Sequence, residues 1–240
     1  MGNEEESNKE NESSFIKSFI PQRISNETSL NFFDFLRKTS QLNKNKFQNN
    51  LSKNLKNYEN HKKIIEKNKG YIEDQYSYKD MFYGNKTLDY CGCGVIAAFN
   101  AMNDLKLKKE ISLPLIIDYF ENDGIVLSGV FGTAPTAIED FFVKEGFETI
   151  STTKEEEYDK IGENYDSFIF TFYKNKNNIF EQVHVVNISK NNGKFSAHNN
   201  GFNNHFKLYN SISEFINKIN NGKSKGISLI GIKRKQIYKI

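Results

Sequence analysis

Two cysteines, Cys91 and Cys93, stand close together at the start of an apolar segment. A glycine follows each of them, and residues 95–102, VIAAFNAM, are small or apolar at helical spacing. This pattern predicts a helix that begins beside the cysteines. Unpaired N–H groups at a helix N-terminus favour the thiolate form of a nearby cysteine. The chemistry indicated is attack by a cysteine on a carbonyl carbon.

A thiol nucleophile needs a group that takes its proton, and His184 is the best placed of the four histidines. It lies in an apolar run, VHVV, that predicts a strand on which the histidine alternates with the flanking valines and projects to the opposite face. Asn199 follows at the end of the next predicted strand, where its side chain could hold the imidazole in one tautomer. Asn200 is the adjacent alternative. The residues in sequence order are therefore Cys91, His184 and Asn199.

That order resembles the papain-like cysteine peptidases, with the cysteine heading a helix in the first half and the other two residues on adjacent strands in the second. Residues 89–92, DYCG, and the Ala-rich helix after them resemble more closely the bacterial branch that includes the double-glycine leader peptidases of bacteriocin exporters. Residues 131–138, FGTAPTAI, also resemble a segment that introduces a helix beside the active site in that branch. The resemblance covers residues 77–205 and implies a papain-like fold with Cys91, His184 and Asn199 as catalytic residues.

The resemblance also implies an oxyanion donor six residues before the nucleophile. That position holds Asn85 where the family has glutamine, so we expect Asn85 in this role, with Gln75 as the alternative. If Cys93 were the nucleophile, Thr87 would occupy the position and would be a poorer donor. This comparison favours Cys91, and Cys93 is then expected to be a small buried hydrophobic residue.

The elements that must position these residues fall into two halves. Helices are predicted from 95, from 114 after a cap at Ser112, and over 135–144 after a cap at Thr133 or Thr136. Extended runs follow at 167–173, 183–188, 194–197 and 227–232, with Asn191-Asn192-Gly193 as a hairpin turn and a short helix at 211–219. Helices followed by an antiparallel sheet define the α+β class. This order agrees with the papain-like domain that the resemblance implies over residues 76–240, in which an N-terminal helical half packs on a C-terminal antiparallel β-sheet.

Residues 1–75 are a polar, Lys- and Asn-rich extension. Between positions 41 and 70 there are eight lysines and two glutamates, and apolar residues concentrate at 29–36 and 51–65. Low hydrophobicity and an excess of one charge predict a segment that is helical or partly disordered. We expect it to dock on the catalytic domain or on a partner protein, in the first case as a propeptide or a docking arm.

Composition excludes several other classes of protein. The 240 residues contain no apolar run near the roughly 20 residues that a membrane span requires, and the acidic start is unlike a signal peptide. The expected location is cytoplasmic, or exported without a cleaved signal peptide. A net charge of +3 gives no reason to expect a nucleic acid partner, and two cysteines are too few for a disulfide scaffold.

No cofactor and no metal are expected. A zinc site would have to combine Cys91, Cys93, His184 and His198, and a C-x-C pair at a helix start is awkward for a tetrahedral chelate. The resemblance instead implies a cysteine peptidase, or a related thiol amidohydrolase, that cleaves a peptide or amide bond of a peptide or protein substrate through an acyl-enzyme. The same machinery can deamidate or transfer acyl groups. The alternative is a non-catalytic binding or effector module on the same fold, which the departure at Asn85 and the long extension favour.

Overall fold

Helices occupy the first half of the chain. The structure is a computed structural model that describes residues 25–40, 47–106, 112–175, 183–201 and 207–235. The helices of this half are α1 (Asn26–Ser40), α2 (Gln48–Lys67), α3 (Leu88–Cys91), α4 (Cys93–Asp104), α5 (Leu113–Asn122) and α6 (Pro135–Lys144). A hairpin of two short strands, β1 (Phe82–Tyr83) and β2 (Lys86–Thr87), precedes α3. None of the helices in the described residues is both long enough and apolar enough to cross a membrane.

A five-stranded antiparallel sheet forms most of the second half. Its strands are β3 (Phe147–Thr152), β4 (Ser167–Tyr173), β5 (Val183–Asn191), β6 (Lys194–His198) and β7 (Lys225–Arg234), in the spatial order β3-β7-β4-β5-β6. Two helices, α7 (Tyr158–Asn164) and α8 (Ile212–Lys218), lie between strands in the chain. The predicted α+β class, with a helical half ahead of an antiparallel sheet, is confirmed.

Each face of the sheet is covered by a separate hydrophobic core. On one face Ile169 and Val185 pack with the apolar side of α4, which is buried from Gly94 to Met102. On the other face alternate residues of the same strands, such as Phe170 and Val186, pack with α7 and α8. The central strand β4 is buried along its whole length because both of its faces are covered. The sheet therefore lies between the long helix α4 and the two shorter helices.

The hairpin between β5 and β6 follows the turn predicted from the sequence. Asn192 and Gly193 both have positive φ, 49° and 72°, which an Asn-Gly step adopts at little cost. The resulting register pairs Asn187 with His198, where the ladder between the two strands ends. Residues 183–186 of β5 therefore extend beyond the end of β6.

The predicted cap of α6 was wrong. Ala134 takes the N-cap position, because the hydroxyls of the two neighbouring threonines are engaged elsewhere. Thr133 Oγ1 lies 2.8 Å from Tyr83 Oη, and Thr136 Oγ1 donates to Asp34. Pro135 at the first helical position starts α6 without a side-chain cap. Ser112 does precede α5, although within the described residues its side chain makes no capping hydrogen bond.

The helices of the N-terminal segment pack on the helical half. Phe33 of α1, together with Tyr58 and Ile65 of α2, is buried in the core that also contains α4. The Arg37 guanidinium forms ion pairs with Asp123 and Asp140, at 2.9 and 2.8 Å. Residues 26–40 and 48–67 thus dock on this chain, whereas the predicted domain boundary near residue 75 stays a prediction.

A buried carboxyl group joins α2, the β1–β2 hairpin and α5. Glu121 Oε1 accepts hydrogen bonds from Asn50 Nδ2 at 2.7 Å and from the Gly84 N–H at 2.6 Å. Burial raises the pKa of Glu121 to about 7, although both hydrogen bonds act to lower it. The protonated form is therefore favoured in the folded state over a wide range of acidic pH.

Replacing Glu121 by Gln should stabilise the protein above pH 7. The folded pKa lies above the usual value of 4.5, so the stability that the wild-type carboxyl contributes is present below pH 4.5 and is lost as the pH rises through 7. The amide oxygen of Gln can accept both existing hydrogen bonds without carrying a charge. We expect a gain of up to about 3 kcal/mol at pH 8 relative to pH 4.5, measured by urea unfolding. Glu163→Gln, at an exposed position, is the control, and an equal effect of both substitutions would contradict the prediction.

Candidate active site

Cys93 is the first residue of α4, and its sulfur meets the edge of β5. The backbone N–H of Val185, the residue after His184, donates a hydrogen bond to the Cys93 sulfur, and so does the N–H of Gly94. The residue as a whole is partly exposed. The sequence suggested Cys93 as a small buried hydrophobic residue, and in the structure it is partly buried against the hydrophobic core, while its sulfur also has polar contacts.

Two opposing effects act on the Cys93 thiol. Burial raises its pKa and is the larger effect, while the Val185 N–H, the Lys174 ammonium and the N–H groups at the start of α4 lower it. The net result is a raised pKa. The resting thiol is therefore protonated at neutral pH, beside groups that favour its ionised form.

His184 projects from β5 on the face opposite Val185, as the alternation of the sequence predicted. Its ring is buried and packs edge-on against Phe172, with ring centroids 5.6 Å apart. Its Nε2 lies 2.8 Å from the carbonyl oxygen of Asn199. Because a carbonyl oxygen can only accept, Nε2 carries the hydrogen, and Nδ1 keeps its lone pair in the neutral ring.

The electrostatic surroundings keep His184 neutral. Burial, and to a smaller extent the nearby Lys174 ammonium, lowers its pKa to about 4, against the still smaller opposing effect of the Asn199 carbonyl. Lys174 thus acts on both Cys93 and His184. A neutral imidazole with a free Nδ1 lone pair can accept a proton, which is the property that a general base requires.

Asn199 meets His184 through its main chain, while its side chain pairs with Gln75. The Asn199 carboxamide donates to Gln75 Oε1 and accepts from the Gln75 backbone N–H, both at 3.1 Å. Gln75 Nε2 in turn donates to the Asp89 carbonyl at 2.9 Å. The structure therefore brings together Gln75, Asn199 and His184, and it connects them to the segment just before the cysteines.

Two predicted carboxamides lie elsewhere. Asn85 is exposed in the β1–β2 turn, and its backbone N–H donates to the Ser128 carbonyl. Asn200 is buried, and its side chain donates to Ala197. Of the carboxamides considered from the sequence, Gln75 rather than Asn85 lies next to the Asn199–His184 pair.

Cys91 faces away from that pair, toward the β1–β2 hairpin. It is only 6% exposed, and its thiol points at the carbonyl oxygens of Thr87 and Tyr83, at 3.5 and 3.9 Å. Gly129, at φ 100°, closes over it, since a Cβ there would lie 3.5 Å from the Cys91 sulfur and 2.8 Å from the Tyr83 carbonyl. Burial, reinforced by the neighbouring Cys93 and Asp89, raises the pKa of the Cys91 thiol. Of the two cysteines, Cys93 is thus the one that reaches the strand carrying His184.

A zinc centre does not form from these residues. Cys91 and Cys93 point in different directions, and His198 contacts Glu73 and Ser189. Over the described parts of the chain, no three His, Cys, Asp or Glu side chains are grouped to hold a metal ion.

The sequence did not predict a role in the site for two nearby residues, and for a third it predicted only an alternative role. Glu73 and Lys174 stand in polar, charged stretches without a recognisable motif, and Gln75 was only an alternative to Asn85. A usable signal was present for Cys93, because it is followed directly by Gly94 and the uninterrupted apolar helix. The contacts of Glu73 and Lys174 depend on long-range pairing and could not be read from local sequence.

No protein-family model and no curated protein matches the chain. Among solved structures, it is similar to the peptidase domain of Streptococcus ComA, a bifunctional ABC transporter involved in a quorum-sensing pathway. The two chains are 16% identical, the match covers 60% of this chain and 91% of that domain, and the TM-score is 0.40.

Iodoacetamide should modify Cys93 before Cys91. Cys93 is the more exposed of the two residues, and backbone N–H groups at its sulfur favour the thiolate, whereas Cys91 is enclosed and faces carbonyl oxygens. We expect the rate constants at pH 8 to differ by about tenfold or more in the folded protein. Peptide mass spectrometry of samples quenched over time measures both rates, and equal rates in urea are the control. Faster labelling of Cys91 in the folded protein would contradict this assignment.

His184 should make the protein less stable at acidic pH. Its folded pKa of about 4 lies below the usual 6.5, so its contribution is present above pH 6.5 and is lost as the pH falls toward 4. The loss attributable to His184 should reach about 3 kcal/mol. Glu121 changes the stability in the opposite sense between pH 7.5 and 4.5, so the pH dependence of wild type alone does not isolate His184. The loss is therefore measured as the difference in unfolding free energy between wild type and His184→Gln over this range. A difference that does not vary with pH would disprove it.

Proposed function

We propose that this chain is a cysteine peptidase, or a related thiol amidohydrolase, with Cys93 as its nucleophile and His184 as its general base. The observation that carries the proposal is the contact of the Cys93 sulfur with the backbone N–H of Val185, the residue after His184, which favours the ionised form of the thiol. Cys93 also heads α4, where backbone N–H groups favour negative charge on sulfur. The substrate class is a peptide or protein.

The proposed reaction begins with proton transfer from the Cys93 thiol to His184 Nδ1. The thiolate then attacks the carbonyl carbon, and the tetrahedral intermediate collapses as the C–N bond breaks and His184 returns the proton to the leaving amine. Water deprotonated by His184 next attacks the thioester, which releases the acid and restores the thiol. The hydrogen bond between Nε2 and the Asn199 carbonyl supports this direction of transfer, because it leaves Nδ1 as the basic nitrogen.

Gln75 is the side chain that we assign to the oxyanion. Its Nε2 has two hydrogens, of which one is donated to the Asp89 carbonyl, four residues before Cys93. Its Oε1 accepts from Asn199, and this contact fixes the orientation of the amide. Such a preorganised N–H, together with the backbone N–H groups at the start of α4, suits a developing negative charge on the substrate oxygen.

The proposal is tested with single cysteine variants and a peptide library. Cys93→Ala should reduce the rate of cleavage by about 1000-fold or more, because the covalent route is removed. Cys91→Ala is the matched control and should keep the rate within about threefold, as its thiol lies apart from His184. Mass spectrometry of the library before and after incubation measures both rates. Activity that survives in Cys93→Ala but is lost in folded Cys91→Ala would instead support Cys91, the nucleophile favoured by the sequence.

A binding or effector module is the second candidate, and the raised pKa of the Cys93 thiol favours it. A catalytic site must overcome that protonation during the reaction, whereas a binding site has no need to. If wild type cleaves no member of the library and Cys93 is alkylated at the rate of a free cysteine in unfolded peptide, the binding module is the better description.

A further inference from the structure

The turn that follows β6 is held by contacts on its main chain. Asn199 has left-handed backbone geometry, with φ 54°, and its carbonyl oxygen faces His184 Nε2. The β5–β6 ladder ends one residue earlier, at the pair of Asn187 and His198. No strand pairing in the described sheet reaches Asn199, so groups outside the sheet must orient its carbonyl oxygen.

Glu73 supplies such a group, from the segment between α2 and α3. Its Oε2 accepts the N–H of Asn199 at 3.3 Å, and its Oε1 lies 2.6 Å from His198 Nδ1. The side chain is buried, with 8% of the residue exposed. One carboxyl group thus contacts both the last residue of β6 and the turn residue that meets His184.

His198, which Glu73 contacts, is held in turn by Tyr71 and Ser189. The His198 ring stacks on Tyr71 with centroids 3.8 Å apart, and His198 Nε2 lies 2.6 Å from Ser189 Oγ. Both Ser189 and Tyr71 donate to Asp104 at 2.7 Å. The segment that carries Glu73 is therefore tied to β5, β6 and the end of α4.

We propose that Glu73 is a positioning residue for His184 and acts through the main chain of Asn199. The proposal rests on the proposed function, in which His184 Nδ1 is the base. Without the carboxylate, the Asn199 N–H and His198 Nδ1 lose their shared acceptor, so the turn relaxes and its carbonyl leaves Nε2. The His184 ring is then free to move its hydrogen to Nδ1, and in that tautomer it cannot accept the thiol proton.

The test is the tautomer of His184 in Glu73→Ala, observed by nitrogen-15 NMR of histidine-labelled protein at pH 7. Wild type should show the Nε2–H form, and the variant should show a mixture that includes the Nδ1–H form. His184→Gln identifies the signals. As a second readout, the rate of Cys93 alkylation in a Cys91→Ala background should fall about fivefold to tenfold.

Ser189→Ala is the matched control. It breaks the anchor between His198 and Asp104 but leaves the contact of Glu73 with Asn199 in place. It should lower the unfolding midpoint while leaving the His184 tautomer unchanged, which separates positioning from a general loss of stability. A shift of the tautomer in Ser189→Ala equal to that in Glu73→Ala would overturn the proposal.

If Glu73→Ala does not fold, Glu73→Asp replaces it, because a carboxylate one methylene shorter withdraws from at least one of its two donors. A wild-type tautomer and alkylation rate in whichever variant folds would overturn the positioning role. That outcome is distinct from failure of the proposed function, which is judged by cleavage in Cys93→Ala. The tautomer of His184 can be read whether or not a substrate is cleaved.

Discussion

The candidate site depends on where β6 stops. Because β6 pairs with β5 only as far as Asn187, the first residues of β5 extend past the ladder. The Val185 N–H there meets the Cys93 sulfur and not a continuation of β6. The chain that leaves β6 turns at Asn199 and returns its carbonyl to His184. The helix start, the histidine and the turn therefore meet because the β5–β6 hairpin has this register. A shift by one residue would place His184 on the face now occupied by Val185.

Burial has opposite effects on the pKa values of the two groups proposed to exchange a proton. It raises that of the Cys93 thiol and lowers that of His184, so both changes favour the uncharged pair. Lys174 lowers both pKa values, which favours a thiolate beside a neutral imidazole. The positive charge that balances a thiolate can thus come from a lysine as well as from the imidazolium. At neutral pH both groups are therefore uncharged.

Local sequence determined the elements better than it determined the partners of the site. The apolar periodicity after Cys93 and the Asn-Gly turn at 192–193 predicted α4 and the β5–β6 hairpin, because both depend on neighbouring residues. Strand β3 and helix α7 were not predicted: β3 has an exposed middle section, and α7 is short. The position of Cys91 was not readable either, since its enclosure depends on Gly129, which lies 38 residues away in the chain. Spacing from Asn85 favoured Cys91, but the hairpin turn carries Asn85 to the surface.

Asn199 shows why a residue type alone does not define the third member of such a site. The sequence suggested its carboxamide as the partner of the imidazole, whereas the observed partner is its carbonyl oxygen, a group that every residue has. What asparagine adds is tolerance of the left-handed geometry at φ 54° and a side chain that pairs with Gln75. The features of Asn199 that matter here are therefore the shape and attachment of the turn. The position of the Asn199 carbonyl then depends on the residues that hold the turn. In our proposal, this is how the buried carboxyl group of Glu73 influences the orientation of His184.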